Sequence, residues 1–339
     1  MGYSAEQPPP HSHRRPSELA GDEIVPARRA SATRTAATAA ARFYHLCSGE
    51  PFNLLLAIEN DNNALAAVRV ASALTARGAI PRVLNVTRPL KPPRGSPSAV
   101  DFADAGLGAD FHSHRCLLLR DLIVDAIGEE QDWPIQSLIG DPATTIVDAA
   151  ATEEAELIVI GINRHSNYEQ AMGRNTATRI IGRAPVPVLA VRPGMQAMPK
   201  LIMVATDFGE SSRQAAQIAA NFVAPNGRVI LVHVSVPSEL REEIADRPAP
   251  PGDEDVADAF RRLTAGIRQS RTVEVERLHR TGDPLGEILA AAQAIGPDLI
   301  AIGSERIDRV TRLPLESLSR PIIRDGHWPM LVTPPLETS

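Results

Sequence analysis

Short, uninterrupted apolar runs alternate along this chain with longer stretches whose apolar residues recur at helical spacing. Asn53–Ile58 and Leu201–Thr206 are runs of the first kind and predict parallel strands buried on both faces. Beyond the second, Ala215, Ile218, Ala219 and Phe222 mark one face of a helix that Pro225-Asn226-Gly227 stops. Arg228–Val234 reads as the next strand, with Arg82–Val86 as its upstream counterpart. Val256, Phe260, Leu263 and Ile267 then follow at i, i+4, i+7 and i+11, predicting a helix matched upstream by Cys116–Ile127. A third strand precedes Gly140-Asp141-Pro142, and again Gly282-Asp283-Pro284, where glycine permits the turn and proline suits a helix's first turn. A helix, an apolar strand ending in Gly161 or Gly303, a loop and a helix follow. The closing strands are Val188–Val191 and Met330–Thr333.

The same pattern therefore occurs twice. A constant offset of 142 residues relates Pro142 to Pro284, Gly161 to Gly303, Arg164 to Arg306 and Pro187 to Pro329. A unit near 140 residues is too long for a solenoid, so each copy reads as a domain, over residues 49–195 and 199–337. Residues 1–48 read as a disordered tail, with ten Ala, five Pro and six Arg and no apolar period. Its stretch 26–42 has four Arg and no acid, as a transit peptide does, but Glu6, Glu18, Asp22 and Glu23 precede it and favour a solvated tail. Alternating strands and helices predict an α/β fold, a parallel sheet covered on both faces, with ligands at the carboxyl ends of its strands.

Val204-Ala205-Thr206-Asp207-Phe208, Leu231-Val232-His233-Val234, Gly282-Asp283-Pro284 and Trp328-Pro329-Met330-Leu331-Val332 occur here in one order. Leu55-Leu56-Ala57-Ile58-Glu59, Gly140-Asp141-Pro142, Ile158-Val159-Ile160-Gly161 and Pro185-Val186-Pro187-Val188-Leu189 repeat that order upstream. In this the chain resembles the universal stress protein family, as a tandem of two domains over residues 52–335. The resemblance implies two Rossmann-like domains of the adenine nucleotide alpha hydrolase type, each a five-stranded parallel sheet of order 3-2-1-4-5. It also implies binding of ATP or AMP, by a loop Gly-x2-Gly-x9-Gly-Ser/Thr after the fourth strand and an Asp ending the first. Family members commonly dimerise through their last strands, so Val186–Val191 and Met330–Thr333 are expected to pair within this chain as a pseudo-dimer.

Both copies depart from that loop. Counted from Gly161, Arg164 stands at the second glycine and Arg174-Asn175 at the final pair, with Thr176 next. Counted from Gly303, Arg306 stands at the second glycine and Glu316-Ser317 at the final pair. The nucleoside position holds Glu59 in the first copy and Asp207 in the second, beside the strand residues Ala205 and Val234. Arg164 and Arg306 read either as guanidinium partners of a phosphate or as solvated loop residues. Asp207 reads either as a ligand group or as a helix cap. Arg164, Arg174, Asn175 and Thr176 make the first loop the more anion-friendly one, because Glu316 opposes Arg306 in the second.

Composition narrows the function. A net charge of −6 and a pI near 5.9 argue against a nucleic-acid partner. Two cysteines, Cys47 and Cys116, make no disulfide framework, and no apolar run is long enough to span a bilayer, so a cytoplasmic protein is expected, with no membrane partner. His112, His114 and Cys116 lack a fourth ligand, and no metal is expected; His233 reads as a hydrogen-bonded core residue, and Trp328 as packing. No Walker A, Gly-x-Ser-x-Gly or His-Glu-x-x-His sequence is present, and Gly106-Leu107-Gly108 lacks a third glycine and reads as loop. The chain reads as a non-enzymatic stress-response protein binding ATP or AMP weakly, or with degenerate sites. The alternative is an interaction module that binds no nucleotide and recruits a protein partner, and further self-association stays open.

Overall fold

The computed structural model describes residues 43–59, 61–89, 107–162, 176–237, 253–304, 321–322 and 327–335. In the first half, strands β1 (Phe52–Ala57), β2 (Ala79–Thr87), β3 (Ile135–Ile139), β4 (Leu157–Gly161) and β5 (Val188–Val191) alternate with four helices. These are α1 (Asn62–Thr75), α2 (Leu107–Ile127), α3 (Pro142–Thr152) and α4 (Thr176–Ile181). The second half has β6 (Leu201–Ala205), β7 (Arg228–Ser235), β8 (Glu274–Thr281), β9 (Leu299–Gly303) and β10 (Met330–Thr333). Its helices are α5 (Glu210–Phe222), α6 (Asp253–Ser270) and α7 (Pro284–Ile295). Asp141 and Asp283 cap α3 and α7 through the backbone N–H groups of Thr144 and Gly286, each with proline in the first turn.

Among the described residues, ten strands form one sheet, ordered β3-β2-β1-β4-β5-β10-β9-β6-β7-β8. Neighbours are parallel within each half, and the halves meet through the antiparallel pair β5–β10. There Leu189 faces Leu331, its own equivalent under the 142-residue offset, while Val188 faces Val332 and Ala190 faces Met330. The offset carries the pair Val188–Val332 onto Ala190–Met330 and Leu189–Leu331 onto itself, which is the signature of a two-fold interface, here folded into one chain.

Strand residues alternate between two cores. Leu54, Leu56, Val159, Leu189, Leu331, Ala301 and Val204 pack with α1, α2, α5 and α6 on one face. Leu55, Ile158, Val188, Ala190, Met330, Val332, Ile300 and Met203 pack with α3, α4 and α7 on the other. Both cores draw residues from both halves, so the junction is covered by core on both faces of the sheet.

Two expectations need correction. Residues 43–48, assigned to the tail, are helical, with Leu46 only 3% exposed and Phe43 and Cys47 against the first core. His45 Nδ1 reaches the buried Glu156 at 2.7 Å, and Asn221 Nδ2 donates to the Cys47 carbonyl at 2.7 Å. Burial pushes the Cys47 thiol up to about 12, which makes it a packing residue and a poor nucleophile. Residues 1–42 lie outside the described residues. Helix α2 also begins at Leu107, nine residues before the predicted Cys116, so Leu107 and Gly108 start a helix and His112 and His114 lie within it. The mixed stretch ahead of Cys116 lacks the apolar stripe that would have announced it.

A further clamp joins the halves. Arg77, just beyond α1, donates to the carbonyls of Asn221 and Val223 at the C-terminus of α5, the latter at 2.9 Å. Arg271 donates to the same Asn221 carbonyl at 2.9 Å. Two guanidinium groups thereby meet the carbonyl-rich end of one helix, the end its dipole makes negative.

Candidate functional site

In each half the first and fourth strands end side by side, where the strand order reverses, and the following turn enters a helix. The second half builds a polar knot there. Thr206 Oγ1 and Ser212 Oγ lie 3.0 Å apart, and the Phe208 N–H donates to Thr206 Oγ1 at 2.9 Å. Asp207 Oδ1 accepts from Gly209 N–H at 2.9 Å and from the Ser212 hydroxyl at 2.7 Å. Asp207 is exposed, so the knot fixes one carboxylate oxygen and presents the group to solvent at the sheet edge. Asp207 thus closes the turn ahead of α5 and does not cap the helix, whose N-cap position is Gly209 and has no side-chain cap.

The neighbouring strand approaches this turn closely. A Cβ on Gly303 would lie 2.4 Å from the Ser212 nitrogen and 2.5 Å from the Ser211 carbonyl carbon. On Gly161 it would lie 2.9 Å from the Asn63 carbonyl oxygen. Both glycines let the first turn of a helix pack onto the end of the fourth strand, a role that needs no ligand.

The first half lacks the knot. Strand register equates Thr206 with Ile58, Asp207 with Glu59 and Ser212 with Ala64, an offset of 148 ahead of the loops after β2 and β7. Its helix is capped by Asp61, the equivalent of Gly209, which accepts from the N–H groups of Asn63 at 3.0 Å and Ala64 at 3.1 Å. Glu59 is exposed and engaged in an interaction of its own.

Of the other expected site residues, Ala205 closes β6 and is 7% exposed, its side chain in the second core. Val234 lies on β7 opposite Arg280 and packs partly against that core. Thr176 opens α4, and its hydroxyl accepts from Arg88 Nη2 at 3.0 Å. Arg164, Arg174, Asn175, Arg306 and Ser317 lie outside the described residues. Nothing periodic in the sequence pointed to Arg88, which reaches Thr176 from the end of β2 across 88 positions of chain.

Near that end of the first half, Arg179 grips Asp141 with two hydrogen bonds of 2.8 and 2.7 Å. The guanidinium, helped by the Thr144 N–H, holds the Asp141 carboxyl well below the usual carboxylate range. Stability from a depressed carboxyl is present above its unfolded value and is lost as pH falls through its folded one. Arg179→Met should therefore flatten the acid limb of a pH–stability curve, by under about 1 kcal/mol because the pair is exposed. Acid titration followed by circular dichroism measures this, and an unchanged acid limb would contradict it. Among the described residues no group of three His, Cys, Asp or Glu stands where it could hold a metal, and no helix is long and apolar enough to cross a membrane.

The model of the universal stress protein family matches residues 52–192 and again residues 198–334. The chain belongs to the universal stress protein family. It is a tandem two-domain member, and the repeated α/β unit is the family's domain. A universal stress protein from Archaeoglobus fulgidus DSM 4304 shares 20% identity at a TM-score of 0.60, covering 86% of this chain and 99% of that chain. A functionally unknown protein from Pseudomonas aeruginosa PAO1 shares 14% at 0.55, covering 85% and 94%. A universal stress protein solved in complex with cAMP shares 16% at 0.31, covering 40% and 98%. A search of curated proteins returned no match.

Proposed function

We propose that this universal stress protein is a non-catalytic stress-response protein that binds one adenine nucleotide, ATP or AMP, weakly through its second half. The first half then serves chiefly as the structural partner that completes the sheet. The observation that carries this reading is the Thr206–Asp207–Ser212 knot, which presents an oriented carboxylate at the strand ends where α/β sheets take ligands. A carboxylate there accepts hydrogen bonds from the hydroxyl or amino groups of a nucleoside. The counterpart positions Ile58 and Ala64 carry no hydroxyl, and the Asp61 carboxylate already satisfies the first turn of α1. Weak binding follows from the sequence, since neither copy has the complete glycine loop that cradles phosphates. A cytoplasmic setting fits the sequence, which has no apolar run of membrane-spanning length.

Asp207→Asn separates the ligand role from the turn, because its side-chain oxygen still accepts from Gly209 and Ser212 while the charge is gone. A hydrogen bond to a charged group contributes about 1.5–3 kcal/mol, so AMP and ATP affinity should fall about tenfold or more in calorimetric titration. Glu59→Gln should leave affinity unchanged. Equal affinity in wild type and Asp207→Asn would contradict the reading. No binding by any of the three would favour the pure interaction module.

A further inference from the structure

Asn85 and His233 occupy equivalent register positions, and each holds the carbonyl of the residue that follows the first strand of its half. Asn85 Nδ2 donates to the Ile58 carbonyl at 2.9 Å, and His233 Nδ1 lies 2.8 Å from the Thr206 carbonyl. A carbonyl only accepts, so Nδ1 carries a proton, and in the neutral ring Nε2 is a bare acceptor. His233 is 7% exposed, and Nε2 is buried without a hydrogen-bond partner. The ring lies 4.5 Å from that of Phe208 and tilted 34° to it, with Phe260 edge-on at 6.4 Å and His279 at 5.7 Å. Phe208 has φ +63, a conformation that bulky side chains rarely adopt, so the ring stack and the Thr206 hydrogen bond hold it against its preference.

We propose that His233 is a positioning residue that holds the Thr206–Gly209 turn, and with it Asp207, only while its ring is neutral, so that mild acid loosens the second half's site and spares the first. A second proton would sit on Nε2, burying a charge and an N–H donor among aromatic rings with no acceptor. Burial pushes His233 below the ordinary histidine value; the Thr206 carbonyl opposes this, His279 adds to it, and Asp207 opposes it. Asp207 in the turn and His279 on β8 act on the ring; the surrounding elements also carry the pair Glu210–Arg213 on α5, Asp253, Glu254, Asp255, the pair Asp258–Arg261, Arg262 and Arg268 on α6, and Glu274, Glu276, Arg277 and Arg280 on β8. Both pairs satisfy themselves at the surface. Arg277 on β8 donates to Thr264, and the His279 ring is hydrogen-bonded to Ser235. A histidine depressed in the folded state binds fewer protons there than in the unfolded turn. Its stabilisation is complete above the ordinary value and drains away as pH falls below it. The first half has an amide in this place, which does not titrate. Weaker nucleotide binding in acid is a consequence that rests on the reading given above; the loosening of the turn does not.

The test is hydrogen exchange by NMR on the full chain without nucleotide, corrected for the intrinsic pH dependence of exchange. From about pH 7.5 to about pH 5.5, protection at the Phe208 and Gly209 amides should fall about tenfold, the limit set by one proton over that window. Protection at the Asn63 and Ala64 amides should stay level. In His233→Asn, which copies the first half's arrangement, all four should stay level. A parallel fall in both halves, or a fall that persists in His233→Asn, would overturn the proposal. Should that variant not fold, titration of the His233 ring by NMR in the wild type decides: a midpoint below about 6.5 is expected, and one at or above it would overturn the proposal.

Discussion

Leu331→Asp should leave little folded protein at room temperature. Leu331 and Leu189 are each fully buried and face one another at the centre of the β5–β10 pair. Truncating a buried leucine costs about 2–5 kcal/mol, and a carboxylate in its place adds the penalty of an unpaired buried charge. Together these approach the whole stability of an ordinary domain, about 5–15 kcal/mol. Both cores run across the junction, so the damage cannot be confined to one half. Trp133 lies in the first-face core and Trp328 beside the junction, so urea unfolding followed by fluorescence reports on both regions. The wild type should unfold in one transition, and Leu189→Asp should be as damaging as Leu331→Asp, because the two residues are equivalent. A stable Leu331→Asp chain, or two widely separated wild-type transitions, would show that the halves are independent.

The second large effect is expected at Gly303. A methyl there meets backbone atoms of Ser211 and Ser212 at 2.4–2.5 Å, and backbone yields only if α5 shifts as a unit. Overpacking typically costs about 1–3 kcal/mol, and Gly303→Ala should lie at or above the top of that range. Gly161→Ala, whose nearest contact is a carbonyl oxygen at 2.9 Å, should lie near the bottom. Thermal unfolding of the two variants gives the comparison directly. Gly303→Ala should also weaken nucleotide binding, since the displaced turn carries Ser212 and therefore Asp207. Equal destabilisation by the two substitutions would contradict the assigned packing.

The architecture was legible because it is written in repeated, local signals. Continuous apolar runs marked the central strands, Gly-Asp-Pro marked two helix starts, and the 142-residue offset tied both halves together. Pairing of the last strands followed from the family resemblance, whose members commonly dimerise through these edges. The site was only half legible. Asp207 stood out at the end of a strand, with Thr206 beside it. Their joint hydrogen-bonding to one turn, however, depends on how α5 leaves the sheet. Asp61 and Gly209 are equivalent N-cap positions, but only the aspartate has a side chain to cap with, and in the second half Asp207 closes the turn two residues earlier. Arg88 with Thr176, and Arg77 with the end of α5, are single long-range contacts without any periodic trace. The helix at residues 43–48 was hidden for a related reason. Phe43, Leu46 and Cys47 are too few for a period, and an alanine-rich and arginine-rich segment precedes them.

The central claim is an unequal pair of halves, one presenting a nucleoside site and the other completing the sheet. Native mass spectrometry of the intact 36.4 kDa chain with AMP counts the sites directly. One AMP per chain is expected, lost in Asp207→Asn and retained in Glu59→Gln. Two AMP per chain would show a working site in each half, and one that survives Asp207→Asn and disappears in Glu59→Gln would place it in the first; either would contradict the claim.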